Sequence, residues 1–400
     1  MNSVSIAMRG IRERRVSSAI TIAAVALACS LLMLVWAFKK EAEQSFAGAS
    51  GGFDAVLGPR GSKLQIVLNA LYHLDESPGL MRWADYEQAT KFPAVEAAYP
   101  LAVGDNYRGY RLVGSIPEYL QNHAYAEGQS FELESGGSLF EPRSMQAVVG
   151  AFAARRLGLG IGDTFHPYHG LVYDEGAKHE ELYTVTGVLK ATGTPVDKVI
   201  WIPISGIQTM SGHNPQAATD VSAVLIKLKQ GANMAGFQLD MMYNKQGDRL
   251  TLAWPANRTI LQFFDKISWF DKILQAVAAL VAIIAGGSIL AILYNAMNER
   301  KRDIAVLRAL GARKRTVFMI SLLEAVGMTF AGVILGFVVY VFLGMGIGEI
   351  VQRETGVALS PFSGNAAMVW APLGMLGIGL LSGVLPAIKA YRTDVSRNLS

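Results

Sequence analysis

Apolar residues are not spread evenly along this chain of 400 residues. They concentrate in four nearly unbroken runs, at 16–38, 273–293, 317–346 and 367–388. Each run is long enough to cross a bilayer as a helix, which takes about 20 residues. A helix satisfies its own backbone groups in lipid, so a run of this length has no competing reading. The first run follows a charged "MRGIRERR" and precedes "FAGAS", as a signal peptide would. It is longer than the roughly 7–15 residues of a signal h-region, and it is read as a span. Within the four runs the one charged residue is Glu324. Small residues recur at packing intervals, Gly332 with Gly336, Gly374 with Gly377, and the pair Gly286–Gly287, which predicts close helix contacts within the subunit or at a dimer seam.

Between the first and second runs the pattern changes. Residues 39–265 carry short β-branched stretches separated by turn signals. "ELYTVTGVLK", "KVIWIPIS" and "SAVLIKLK" read as strands, and "AVEAAYPLAVGDNYRGYRLVGS" reads as two strands around a Gly-Asp-Asn turn. "SMQAVVGAFAARRLGLGIGDTF" reads as strand, helix, glycine-marked turn and strand. The flanks "FKKEAEQSF" and "ILQFFDKISWFDKILQ" read as helical continuations of the first and second spans. The fold class is therefore a membrane protein with four transmembrane helices, one plus three, and a large α+β extracytoplasmic domain inserted between helices one and two.

Composition agrees. The chain is 51% hydrophobic and 17% charged, too apolar for an ordinary soluble enzyme. Its small net charge matters less than where the charge lies. The N-terminal segment 1–15, the loop 294–316 and the tail 389–400 together hold fourteen Lys or Arg against four acidic residues. Short basic loops stay in the cytoplasm. Both termini and the 294–316 loop are thus expected there, with 39–265 and the short loop near 347–366 outside.

Candidate chemistry is sparse. "GPRGSK" lacks the spacing of a phosphate-binding loop. One cysteine, Cys29, allows no disulfide within the chain. No nucleophile–base arrangement stands out, and catalytic residues are expected to be none. All six histidines fall in the outer domain. "HPYHG" and the following "KHEE" bring His166, His169 and His179 into one short stretch, where a hairpin would converge them on zinc, another borderline metal or haem. The bland alternative is an exposed polar hairpin.

The segment "KRDIAVLRALGARKRTVFMISLLEAVGMTFAGVILGF" closely resembles the FtsX-like permeases of the MacB/LolCDE type, the mechanotransmission (type VII) ABC transporters. That family's cytoplasmic segment reads roughly "EIAVLRALGA", and residues 303–312 match it almost letter for letter, with Glu324 on the family's acidic position. The ending "LSGVLPAIKAYRTDVSRNL" resembles the family's "PAxxAARxDPxxAL". "VVGAFAARRLGLGIGDTF" and "VTGVLKATGTPVDKVIWIPIS" resemble its periplasmic core. The resemblance implies a permease subunit with no ATPase of its own. Two copies of a separate cytoplasmic ABC ATPase would carry ATP and Mg2+, and this chain would bind no cofactor. A second permease subunit completes the assembly, expected as a homodimer, with a periplasmic adaptor or substrate-binding protein as a further possible partner. Nucleic acid has no place in this scheme. A signalling permease that activates an external cell-wall hydrolase is the alternative, and a metal- or haem-handling membrane protein is another.

The resemblance makes Asp303, Ile304, Val306, Leu307, Arg308, Ala309, Leu310, Gly311 and Ala312 the ATPase-coupling helix. The residues themselves agree. Asp303 suits a helix N-terminus, Ile304, Leu307 and Leu310 form one apolar edge, and Gly311 suits the end. About two turns of helix are unstable alone and call for a groove to pack in. Arg308 suits an acidic partner surface, and the flanking arginines suit the anionic leaflet. Two departures from the family are expected: no ATPase fused ahead of the first span, and a histidine stretch at 166–181 longer than the core requires.

Overall fold

The structure is a computed structural model, and it describes residues 3–213, 219–299, 313–359 and 366–392. The chain divides into two compact units. One comprises 1–41, 267–348 and 360–400, and the other 42–266 and 349–359.

The first unit is helical. After a short helix, Ser3–Glu13, come four long helices, Arg15–Gly48, Ala256–Glu299, Lys314–Thr355 and Ala367–Arg392. All four are long and apolar enough to cross a membrane. The first three run well past the apolar stretches that predicted them. The charged flanks "FKKEAEQSF" and "ILQFFDKISWFDKILQ" are helical, because nothing in them breaks the backbone ladder. Val25, Cys29 and Met33 pack against Ala285, Ile289, Ala325, Met328 and Met375 in the unit's core. Close approach is made by glycine. A Cβ on Gly332 would lie 2.6 Å from Val25 Cβ, and one on Gly286 would lie 2.7 Å from Ile378 Cγ2. Gly287, Gly374 and Gly377 have nothing within 4 Å among the described residues, so they are not used in this packing. Large apolar side chains such as Ile283, Phe342, Trp370 and Leu381 face outward, as a lipid-exposed surface requires.

The second unit is α+β. Its strands are, in order, β1 Ala55–Pro59, β2 Met81–Arg82, β3 Val95–Tyr107, β4 Tyr110–Ser115 and β5 Ala124–Ala126. Then come β6 Gln129–Ser130, β7 Gln146–Val149, β8 Thr164–Phe165, β9 Tyr168–His169 and β10 Tyr183–Val188. The last four are β11 Ile200–Pro203, β12 Asp220–Val221, β13 Ala223–Leu228 and β14 Leu250–Ala253. Ten of them form one sheet in the order β14-β1-β13-β3-β4-β11-β7-β10-β8, with β9 added to β3. Two neighbours are parallel, β11 with β4 and β10 with β7, and the other pairs antiparallel.

Both faces of this sheet are covered. Ala55, Leu57, Val224, Ile226, Ile200 and Ile202 enter one core. Their neighbours Val56, Leu225 and Trp201 enter another. That is why "KVIWIPIS" and "SAVLIKLK" are almost continuously apolar instead of alternating. The sequence "SMQAVVGAFAARRLGLGIGDTF" forms β7, the helix Ala151–Leu157, a left-handed Gly158 and β8, as its pattern predicts. The segment 349–359 belongs to this unit. Val357 is buried in the second core, and its neighbour Ala358 donates to the Gly193 carbonyl at 3.2 Å.

One local expectation fails. The Gly-Asp-Asn stretch is not a turn, because β3 runs straight through it. The reversal comes at Arg108 and Gly109, with φ of 49° and 84°. Asn106 Oδ1 accepts from Gly109 N at 2.9 Å and closes that turn. Asn106 and Gly109 together make a better turn than Asp105, whose side chain is used elsewhere.

Candidate functional site

The site is built around Asp105, and a β-bulge places it there. Along β3, Val103 pairs with Val113 of β4, but Asp105 pairs with Leu112, so Gly104 is an extra residue. Side chains alternate along a strand, and a bulge resets the alternation. Without it Asp105 would share the face of Val103. With it Asp105 lies on the face of Leu112, and also of His169, its partner across the β3–β9 pair.

Three imidazoles meet the carboxylate. Asp105 Oδ1 lies 3.1 Å from His213 Nε2, 3.3 Å from His179 Nε2 and 3.5 Å from His169 Nδ1. The ring centroids are 5.0–5.5 Å apart, with the rings tilted 67–75° to one another. One ligand atom from each of the four side chains falls within 4.8 Å of every other. Asp105 is fully buried, His179 is 6% exposed, and the His169 side chain is 56% exposed, so the cluster is closed on one side and open on the other.

Each histidine is held by its backbone neighbours. His169 belongs to β9, which is anchored by Asn106 Nδ2 donating to Gly170 O at 2.9 Å. His179 donates its backbone N–H to Pro167 O at 2.9 Å, after an Asp174-capped turn returns the chain. His213 follows the helix Ile204–Thr209, and its Nδ1 lies 2.7 Å from Ile207 O. Ser211 ties the same segment to the histidine stretch, donating N–H and O–H to the Glu181 carboxylate at 2.8 and 3.0 Å. The Asp105 side chain holds His213 protonated above the usual imidazole range.

Of the three histidines singled out by the sequence, the structure gathers His169 and His179. His166 is not part of the cluster, since its Nδ1 is engaged with the Glu181 carbonyl at 3.0 Å. Asp105 and His213 were missed. His213 lies 108 residues from Asp105 in sequence, and only the count of histidines within one domain hints at it.

In the helical unit Glu324 is paired. Arg14 Nη2 donates to its Oε2 at 3.0 Å, and the two side chains are 19% and 7% exposed. The pair pins the start of the first long helix to the third.

The chain matches two family descriptions in succession. Residues 18–241 match the MacB-like periplasmic core domain, and residues 276–395 match the FtsX-like permease C-terminal region. The chain belongs to the FtsX-like permeases of the MacB type. Similar relatives of this permease include a pyoverdine export ATP-binding/permease protein of Pseudomonas fluorescens, 28% identical over 53% of this chain and 32% of that protein. A macrolide export ATP-binding/permease protein of Bdellovibrio bacteriovorus is 24% identical over 70% of this chain and 42% of that protein. The chain spans less than half the length of these relatives. Among solved structures, the periplasmic region of MacB from Actinobacillus actinomycetemcomitans is similar at a TM-score of 0.36 and 13% identity, over 55% of this chain and 94% of that one. The α+β domain of this permease is thus a periplasmic domain set between the first apolar helix and the other three. The coupling segment Asp303 to Ala312 lies outside the described residues.

Proposed function

We propose that this chain is the permease subunit of an ABC exporter. Its periplasmic domain is moved by a cytoplasmic ATPase carried on a separate chain, and it expels or extracts its substrate on the outer side of the inner membrane. What supports this most is the succession of the two matched regions, a MacB-like periplasmic core followed by an FtsX-like permease region, around four apolar helices. Its relatives are named for export of pyoverdine and of macrolides. The 400 residues contain no phosphate-binding loop, and in this reading ATP hydrolysis falls to ATPase domains outside them, two of them acting on a homodimeric permease. Both termini and the basic 294–316 loop face the ATPase.

Force would enter at 303–312, where Leu307 seats in the ATPase groove and Arg308 pairs with an acidic rim. Leu307→Asp places a charge in an apolar contact and Arg308→Glu sets like charges together. Each is expected to lower permease-stimulated ATP hydrolysis by about 10-fold or more, since buried-contact changes of this kind cost on the order of 2–5 kcal/mol. Membrane insertion should be normal. The measurement is ATPase activity and co-purification of the partner ATPase. Unchanged coupling in both variants overturns the assignment.

A further inference from the structure

We propose that Asp105, His169, His179 and His213 form a Zn2+ site in the periplasmic domain, separate from the ATPase-coupling apparatus. None of the four residues has a role in the export reading above.

The distances from the carboxylate are those that one shared ion would set. Two metal bonds of about 2.0–2.1 Å meeting at the tetrahedral angle put their ligand atoms roughly 3.3–3.4 Å apart. The three nitrogens stand 3.1, 3.3 and 3.5 Å from Asp105 Oδ1. The rings stand 67–75° to one another and do not stack. Three imidazoles and a carboxylate are the donor set of borderline divalent ions, with tetrahedral geometry favouring zinc.

Each ring nitrogen is placed to meet the carboxylate oxygen directly or through a shared cation. Ile207 O can only accept, so His213 Nδ1 carries the proton. Nε2 then faces the carboxylate oxygen at 3.1 Å, where it meets it either as a protonated donor or through a bound cation. A backbone carbonyl on the far nitrogen is also how proteins orient metal-binding histidines. Asp105, fully buried, gathers all three imidazoles on Oδ1, while its Oδ2 has no hydrogen-bond partner among the described residues. The exposed His169 supplies the entry path.

The ligands come from three segments: β3, the 165–183 excursion, and the stretch after the helix Ile204–Thr209. An ion would therefore cross-link them, and its binding energy would appear as stability of the domain.

The test uses the full chain purified in detergent, stripped with a chelator and titrated with Zn2+ against a chromophoric competitor. One equivalent of Zn2+ per chain is expected, with a rise in thermal midpoint. Asp105→Asn keeps the side chain's shape, and His169→Ala alters an exposed residue, so both variants should fold. Changes in outer-shell groups already cost about 10–100-fold in affinity, and loss of a ligand here is expected to cost at least about 100-fold. His166→Ala should bind as the parent does. X-ray absorption of the loaded chain should show imidazole scattering. The proposal is overturned if the parent binds no equivalent of Zn2+, or if Asp105→Asn and His169→Ala bind it as tightly as the parent. Neither result bears on the export reading, which is scored by ATPase coupling.

Discussion

Gly104 changes what its neighbour can do. One extra residue in β3 transfers Asp105 from the face of Val103 to the face of Leu112 and His169. Nothing in "VGDNY" announces a bulge over a turn, because glycine, aspartate and asparagine favour both. The membrane-embedded Glu324 was legible, by contrast, since an acidic residue in an apolar run needs a partner. Which partner was not legible, because Arg14 lies 310 residues away. His73 carries a prediction of its own. It is buried at the edge of Trp201, and burial together with Arg111 and Lys198 pushes its pKa down to about 3. In the unfolded chain it titrates near 6.5. Between those values the unfolded state holds a proton that the folded state refuses, so stability rises with pH there and is lost as pH falls below 6.5. By about pH 5 the loss from this one group is about 2 kcal/mol. Asparagine tolerates the φ of 53° at this position. His73→Asn should therefore flatten the fall in thermal midpoint from about pH 7 to about pH 5, followed by tryptophan fluorescence. Some slope should remain from His123, which burial also holds below its usual range. A variant whose pH profile runs parallel to the parent's would show that His73 is not responsible.

Elements were read most securely where one local pattern suffices. The four apolar helices and the strands β7, β10, β11 and β13 follow from composition over a few turns or residues. Helix contacts needed the structure. Gly332 and Gly374 look alike in sequence, each followed at short interval by another glycine. Only Gly332 lies against another helix, with Val25 Cβ 2.6 Å from where its own Cβ would be, whereas Gly374 meets nothing within 4 Å. Gly332→Ala should overpack this contact at about 1–3 kcal/mol. Gly374→Ala should be neutral or gain up to roughly 1 kcal/mol from helix propensity. Melting of both variants in detergent checks the contrast, and equal midpoints would contradict the packing.

For the whole molecule, orientation is the open quantity that charge asymmetry addresses. Cys29 is the sole cysteine and is fully buried, so introduced cysteines can be labelled against a quiet background. Val172 is 80% exposed in the periplasmic domain and Met8 is 61% exposed near the N-terminus. Val172→Cys should react with a membrane-impermeant maleimide in cells with a permeabilised outer envelope, and Met8→Cys should react only after lysis. Labelling in the opposite order would invert the topology and remove 303–312 from the cytoplasm.

The sequence by itself determined the architecture, because membrane spans, two-sided strands and basic loops are each written in contiguous residues, where burial and charge act locally. It also pointed to the family through the stretch at 303–312 and to a histidine-rich segment in the outer domain. The tertiary structure alone decided which side chains meet. Asp105, His169, His179 and His213 come together through a bulge, a strand pairing and a helix end, and Arg14 reaches Glu324 through helix packing. Such contacts depend on register and on approach between distant segments, and no local periodicity encodes either.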